Sequence, residues 1–294
     1  MRVFVTGATG FIGIRVVTEL LKGGHQVIGL ARSDEGAKPL VEAGAGVHRG
    51  SLEDLDSLRS GAEAAEGVIH LAFIHNFSKF KENSQTDQRA IEAMGSVLAG
   101  SKRPLIVTAG TSGVVSSGQV ATEKDVLPAE VPHPRLSEQT ALWLVANGVS
   151  ASVMRLPQVH DTQKQGLVTY AVQVAREKGV SAYVGDGKQR WAAVSVNDVA
   201  SVYRLALERN EAGAVYHAVG EEGVSMREIA EVIGRGLKVP VVSISVEEAS
   251  KHFGWLAMFA GHDSPASSKI TQQMLGWKPT GPGLIEDLEG MRYE

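Results

Sequence analysis

Cysteine is absent from this chain, which excludes disulfides, thiolate metal sites and a cysteine nucleophile and fits a reducing compartment. A basic excess is also lacking. Lys and Arg number 29 against 33 Asp and Glu, a net charge of -4, so no nucleic-acid partner bound by counterion release is expected. No apolar run approaches the ~20 residues that cross a bilayer, so no membrane partner is expected either. The first strand begins at once, without a charged n-region and an apolar h-region, and no leader is expected. A cytoplasmic protein is the default expectation. The nine histidines and many carboxylates show no compact ligand spacing, and no metal site is expected. Repeats and low-complexity tracts are missing too. The remaining composition, 43% hydrophobic and 21% charged, is that of an ordinary globular protein.

What is present begins at residue 3. Val3-Phe4-Val5 reads as a buried strand, and Gly7, Gly10 and Gly13 punctuate a turn into a helix over Phe11–Leu21. A strand that enters a glycine-rich turn and leaves as a helix is a cradle for dinucleotide phosphates. The glycines permit the tight turn, the close approach of backbone to pyrophosphate and close helix–strand packing. The helix N-terminus adds open amide donors and a partial positive charge. Gly7, Thr9, Gly10, Phe11, Ile12 and Gly13 are therefore expected to bind a cofactor.

Apolar runs alternate with helical segments through the first half. The runs are Val3–Val5, Gln26–Leu30, Val47–His48, Val68–Ala72, Leu105–Thr108 and Ser152–Leu156, and the helical stretches include Asp54–Ala64, Thr86–Leu98 and Ser137–Ala146. The alternation predicts an α/β fold, a Rossmann-type doubly wound parallel sheet with right-handed crossovers. Gly23-Gly24 predicts a left-handed end to the first helix. After Pro157 the alternation loosens: a polar loop over His160–Gln165, helices over Leu167–Lys178, Ser195–Glu208 and Met226–Gly236, strands over Val215–Val219 and Val239–Ile244, and a loop-rich tail. A smaller C-terminal substrate lobe is expected from about 157–191 plus 220–294, beside a nucleotide-binding part formed by 1–156 plus about 192–219.

An NAD-preferring site places an acid at the end of the second strand, where it takes the ribose hydroxyls. Here that strand runs into Ala31-Arg32-Ser33. A guanidinium pairs with phosphate through its planar fork, so Arg32 and Ser33 predict NADP(H). Asp34 and Glu35 follow closely and oppose that preference. Ser51 and Leu52 after the third strand, and Leu71, Ala72 and Phe73 after the fourth, are placed to flank the adenine and the dinucleotide; packing alone accounts for them equally. Thr108 at the end of the fifth strand and Pro157 after the sixth are expected to bind the cofactor as well.

With Thr6-Gly7-Ala8-Thr9-Gly10-Phe11-Ile12-Gly13 in view, the chain resembles the extended short-chain dehydrogenase/reductases (the epimerase/dehydratase-like group) over nearly its whole length. His70-Leu71-Ala72 resembles the family's segment after the fourth strand. Gly185-Asp186-Gly187, Arg190 and Val194-Ser195-Val196-Asn197-Asp198-Val199-Ala200 resemble its hinge into a helix, and Val215–Gly220 and Leu275-Gly276-Trp277-Lys278-Pro279 its late segments. The resemblance implies a Rossmann domain, a nicotinamide dinucleotide, a small-molecule substrate and often a homodimer. It also implies a Tyr-x-x-x-Lys pair, with tyrosine as proton donor. None of the five tyrosines is followed four residues on by lysine. Alignment on Ser137-Glu138 puts Pro134 at the tyrosine and Glu138 at the lysine, and neither does that work. The chain thus resembles atypical members that keep the glycine motif and lose the pair.

Replacement donors are then sought near the nicotinamide end. Thr108, Thr111 and Ser112 supply hydroxyls where the family keeps its Ser/Thr; Ser112 or Thr111 orients a substrate oxygen or caps a turn. His133, one residue before the lost tyrosine, and His160, beyond Pro157 at the end of the sixth strand, are the imidazoles in reach. Glu138 reads as a general base or a charged helix face, Arg155 as a carboxylate partner or loop anchor, and Tyr170 and Trp191 as packing or pocket walls. The expectation is an NADP(H)-dependent oxidoreductase of carbonyl reductase or alcohol dehydrogenase type. The alternatives are a dinucleotide-binding sensor or scaffold without turnover, and a nucleotide-sugar-type epimerase or isomerase.

Overall fold

Val3 and Val5 enter one apolar cluster while Phe4 between them enters another, as a strand buried on both faces requires. The strand is β1 (Arg2–Thr6), and the same division recurs at Ile69 against Val68 and at Ile106 against Leu105 and Val107. The computed structural model describes residues 1–127 and 135–293.

The elements that follow are α1 (Phe11–Lys22), β2 (Gln26–Ala31), α2 (Asp34–Glu42), β3 (Gly46–Arg49), α3 (Leu55–Glu63), β4 (Gly67–His70), α4 (Phe80–Leu98), β5 (Pro104–Gly110), α5 (Ser137–Ala146) and β6 (Ser150–Leu156). Then come β7 (Gln158–His160), α6 (Val168–Lys178), β8 (Ser181–Val184), β9 (Arg190–Ser195), α7 (Val196–Arg209), β10 (Val215–His217), β11 (Glu221–Ser225), α8 (Met226–Leu237), β12 (Val241–Ile244), α9 (Val246–Phe253), α10 (Ala257–Ala260), α11 (Lys269–Leu275) and α12 (Leu284–Glu289).

Among the described residues the central sheet has the order β10-β6-β5-β4-β1-β2-β3. Every pairing in it is parallel. This is the doubly wound Rossmann arrangement, which places the C-terminal ends of all strands on one edge. One face is covered by α1 and α7, the other by α3, α4 and α5. A third apolar cluster joins α6, α8, α9 and α12 to the pairs β8–β12 and β9–β11. Trp191 is 2% exposed in that cluster, its Nε1 donating to Phe259 O at 3.3 Å, so it packs the interior.

The first helix ends as its glycine pair predicts. Gly24 is left-handed (φ +81°), its N–H donating to Leu21 O while His25 N–H donates to Leu20 O, the paired bonds of a Schellman end. Asp198 in the helix hinge accepts from the amides of Thr280 and Gly281 at 2.8–3.1 Å, and Trp277 Nε1 donates to Ser201 Oγ at 3.0 Å. Two of the late motifs are therefore contacts of one fold, the tail strapped to α7.

Several expected boundaries move. The fourth strand stops at His70, where Leu71 N–H turns to donate to Thr6 O, and β10 stops at His217 instead of running to Val219. The fourth helix begins at Phe80, a turn and a half before Thr86. His160 belongs to a strand instead of a loop, paired alongside β9. The tail carries α11 and α12, whose Leu284 and Leu288 are fully buried.

Candidate functional site

The glycine turn is built around clearances that no side chain permits. Gly7 has φ +66°, and a Cβ there would lie 2.7 Å from the amide nitrogen of Ala72. At Gly13 a Cβ would lie 2.0 Å from Gly7 O, while Gly10 N–H donates to that same oxygen at 2.9 Å. The turn is therefore folded tightly under α1 and against the segment after β4. Helix α1 starts from an extended Gly10 with no side-chain cap and no acid in its first turn. Its first amides face outward as donors for an anion. Thr9 and Gly10 are exposed, Phe11 and Ile12 half-buried.

The second wall is Leu71, Ala72 and Phe73, all half-buried. Ala72 N–H donates to Thr6 Oγ1 (3.3 Å), which meets His70 Nδ1 at 2.8 Å. His70 Nε2 meets Asp87 Oδ1 at 2.9 Å, and Ser137 Oγ donates to Asp87 Oδ2 at 2.5 Å. A His70 protonated on Nε2 satisfies each donor and acceptor in this chain of side chains, which is buried. Burial opposes ionisation of Asp87, but the hydrogen bond from His70, then the charge of Arg135 and the hydrogen bond from Ser137, hold its carboxyl below the usual range. The groove wall is thereby tied through β4 and α4 to the start of α5. Sequence reasoning quoted His70 as a motif residue but missed Asp87, seventeen residues on, because only the fold brings them together.

Thr108 is committed to the interior: its Oγ1 donates to His70 O (2.7 Å) and meets Tyr203 OH at 2.6 Å. Burial pushes the Tyr203 hydroxyl far above its ordinary range. Arg135 donates through Nε to Ser137 Oγ (2.9 Å) and through Nη2 to Thr108 O (3.0 Å), with its guanidinium 4.5 Å from the Phe73 ring centroid. Thr111 is buried and its N–H donates to Leu156 O at 3.1 Å, which sets Thr111 and Ser112 beside the end of β6 and near Pro157. Ser112 and Pro157 are half-buried. His133, like Pro134, lies outside the described residues.

His160 is 0% exposed, with Nδ1 2.6 Å from Asp287 Oδ2 and Nε2 4.0 Å from Glu221 Oε2. It joins β7 to α12 in the interior. Glu138 is likewise no charged helix face. Its carboxylate is 4% exposed and takes a fork from Arg155, Nε to Oε2 at 2.8 Å and Nη2 to Oε1 at 2.5 Å. Arg155 also donates to Asp125 O (2.8 Å) and meets His217 Nε2 at 3.1 Å, so the His217 proton sits on Nδ1, toward Ser267 O (2.8 Å). Tyr170 stacks edge-on against Trp255, the ring centroids 5.0 Å apart.

At the far end, Arg32 is exposed just beyond β2. Ser33 caps α2 by accepting from Gly36 N–H (3.2 Å). Arg49, at the end of β3, bonds Ser33 O and the Asp34 carboxylate, and Glu35 pairs with Lys38 at 2.5 Å. The two acids that oppose an anion beside Arg32 are thus paired elsewhere. Ser51 is half-buried and follows β3; Leu52 is 9% exposed and packs with Phe4, Leu30 and Leu58. Among the described residues no cluster of three or more His, Asp or Glu is placed to hold a metal, and no helix is long and apolar enough to cross a membrane.

The NAD dependent epimerase/dehydratase family model matches residues 3–220. An uncharacterized protein of Schizosaccharomyces pombe is 49% identical over 295 residues, covering 100% of both chains, and one of Saccharomyces cerevisiae 44% identical over 292 residues, covering 98% of both. A sterol-4-alpha-carboxylate 3-dehydrogenase, decarboxylating, of Dictyostelium discoideum is 27% identical over 255 residues, 76% of this chain and 73% of its own. Among solved structures, the UDP-glucose 4-epimerase of Thermus thermophilus in complex with NAD superposes with a TM-score of 0.74 at 20% identity, over 98% of this chain and 97% of that one. The chain belongs to the NAD-dependent epimerase/dehydratase family, within the extended short-chain dehydrogenase/reductases.

Proposed function

We propose that this protein is an NADP(H)-dependent oxidoreductase of the carbonyl reductase or alcohol dehydrogenase type, acting on a small organic carbonyl or alcohol. The observation that carries the reading is the glycine cradle: Gly7 and Gly13 leave no room for a Cβ, and α1 presents uncapped amides beside them. The residues fit a dinucleotide. Gly7, Thr9, Gly10, Phe11, Ile12 and Gly13 would hold the pyrophosphate, with Leu71, Ala72 and Phe73 as the opposing wall and Ser51 and Leu52 toward the adenine. Arg32 and Ser33 would hold the 2′-phosphate. The pairing of Asp34 with Arg49 and of Glu35 with Lys38 supports that assignment.

When bound, the nicotinamide supplies or takes up a hydride. The chain's part is to place the substrate oxygen, and Ser112 with Thr111, beside Leu156 and Pro157, is the hydroxyl pair assigned to it. In this reading residues 1–156 with about 192–219 bind the cofactor, and about 157–191 with 220–294 select the substrate. Dissociation constants for NADPH and NADH test the cofactor assignment. The wild type is expected to favour NADPH and Arg32→Ala to lose that preference, and an unchanged NADPH constant in the variant would overturn it.

One observation favours a second reading, a dinucleotide-binding sensor without turnover. Glu138, which the family resemblance aligns with a lysine, is locked onto Arg155, and in this reading it takes no part in proton transfer.

A further inference from the structure

We propose that Lys164 is a pyrophosphate ligand of the bound dinucleotide, carried by the strap between β7 and α6 beside the N-terminus of α1; this rests on the dinucleotide reading above. The cradle itself, Gly7 to Gly13, contains no ionisable side chain. Backbone amides and the helix N-terminus orient a pyrophosphate and carry about half a positive charge, so a side-chain cation beside the cradle adds charge that the turn lacks. The strap between β7 and α6 supplies it.

The strap is rigidly pinned. Asp161 Oδ1 accepts from the amides of Gln163 (2.8 Å) and Lys164 (2.9 Å), and Asp161 N–H donates to Lys164 O at 2.9 Å. Asp161 Oδ2 lies 3.8 Å from Arg15 Nη2 on α1, tying the turn to that helix. At the other end Gln165 is fully buried, its side-chain amide donating to Asp161 O and its backbone N–H to Thr169 Oγ1, both at 2.9 Å. Between these anchors Lys164 is exposed.

Its position is set against α1. Lys164 Nζ lies 5.9 Å from the ring centroid of Phe11, the first residue of α1. On the opposite wall it is close enough to His75 for its charge to add to burial and to Arg135 in lowering that imidazole's affinity for a proton. The ammonium therefore stands beside the N-terminus of α1, where the cradle presents its amides. Among the described residues no carboxylate pairs with it; Asp161, its neighbour in the strap, is taken by Arg15 and the turn amides.

Fluorescence titration of the full chain with NADP+ and with NAD+, on wild type, Lys164→Gln and Lys164→Arg, tests the assignment. The pyrophosphate is common to both dinucleotides, so Lys164→Gln is expected to weaken both about tenfold, equivalent to about 1.4 kcal/mol. It should also flatten the dependence of log Kd on salt, while Lys164→Arg stays near wild type and all three melt together. An Arg32 substitution, by contrast, is expected to touch NADP+ alone. Constants for Lys164→Gln within twofold of wild type for both dinucleotides would overturn the inference while leaving the dinucleotide reading intact. A wild type that binds neither dinucleotide would overturn both.

Discussion

Glu138 and Arg155 form a two-point ion pair in the interior, on α5 and β6, with neither side chain more than 4% exposed. Arg155 is satisfied further by the Asp125 carbonyl and by His217. Removal of one partner from such a pair leaves a buried charge without compensation. Glu138→Ala is expected to lower the unfolding free energy by about 3–5 kcal/mol, read by urea titration. Glu138→Lys should be worse, since it sets two cations together. A loss below about 1 kcal/mol for Glu138→Ala would show that the pair is solvated instead, as surface pairs are.

The acid limb of stability should report His217. Burial first, and the charge of Arg155 second, hold its imidazole below the ordinary value of 6.5. The folded state therefore keeps His217 neutral where the unfolded chain already takes a proton. Its contribution is fully present above about pH 6.5 and is lost as pH falls toward the folded-state value, by up to about 1.4 kcal/mol per pH unit. His75 and His252 are lowered as well and share the sign. The diagnostic is the difference between wild type and His217→Asn, whose stability should fall less steeply below pH 6.5. Parallel curves would remove His217 from this role.

Gly13→Ala places a methyl group where Gly7 O stands 2.0 Å away. Backbone must move, and the cradle moves with it. Dinucleotide affinity is expected to fall at least tenfold, about 1.4 kcal/mol. Gly261→Ala is the comparison, since a Cβ there meets nothing within 4 Å, and its affinity should match wild type. Equal affinities for wild type and Gly13→Ala would mean that the ligand does not use this turn.

The chain of hydrogen bonds from Ala72 through Thr6 and His70 to Asp87 and Ser137 lies in the interior. Asp87→Ala strands the His70 Nε2 proton and the Ser137 hydroxyl, and a stability loss of about 1–3 kcal/mol is expected. Hydrogen exchange at the Ala72 amide should quicken in the same variant. Unaltered exchange there would mean that the groove wall is held by other contacts.

The first half of the Rossmann sheet was legible because its signals are local. Val3–Val5, the glycine turn and Gly23-Gly24 each declare their structure within a few residues, and the structure carries all three. Helix α2 was missed because Gly36 and Pro39 break its pattern, although Ser33 caps it and Pro39 is tolerated inside. The strands β7, β8, β9 and β11 were missed because three to six residues give little periodicity. At the site, His160 looked like a loop histidine because its partner Asp287 is 127 residues away. Glu138 looked solvated because α5 carries apolar side chains all round and so points to no inner face. Lys164 carried no signal at all; only the fold of the strap sets it over Phe11.

The proposed oxidoreductase activity is tested most directly by NADPH oxidation with the purified protein across a panel of ketones and aldehydes, with NADH run alongside. Turnover with NADPH on at least one carbonyl is expected, slower with NADH, and lowered by Ser112→Ala. Demonstrable NADPH binding with no oxidation across the panel would contradict it and favour a sensor that holds the dinucleotide without chemistry.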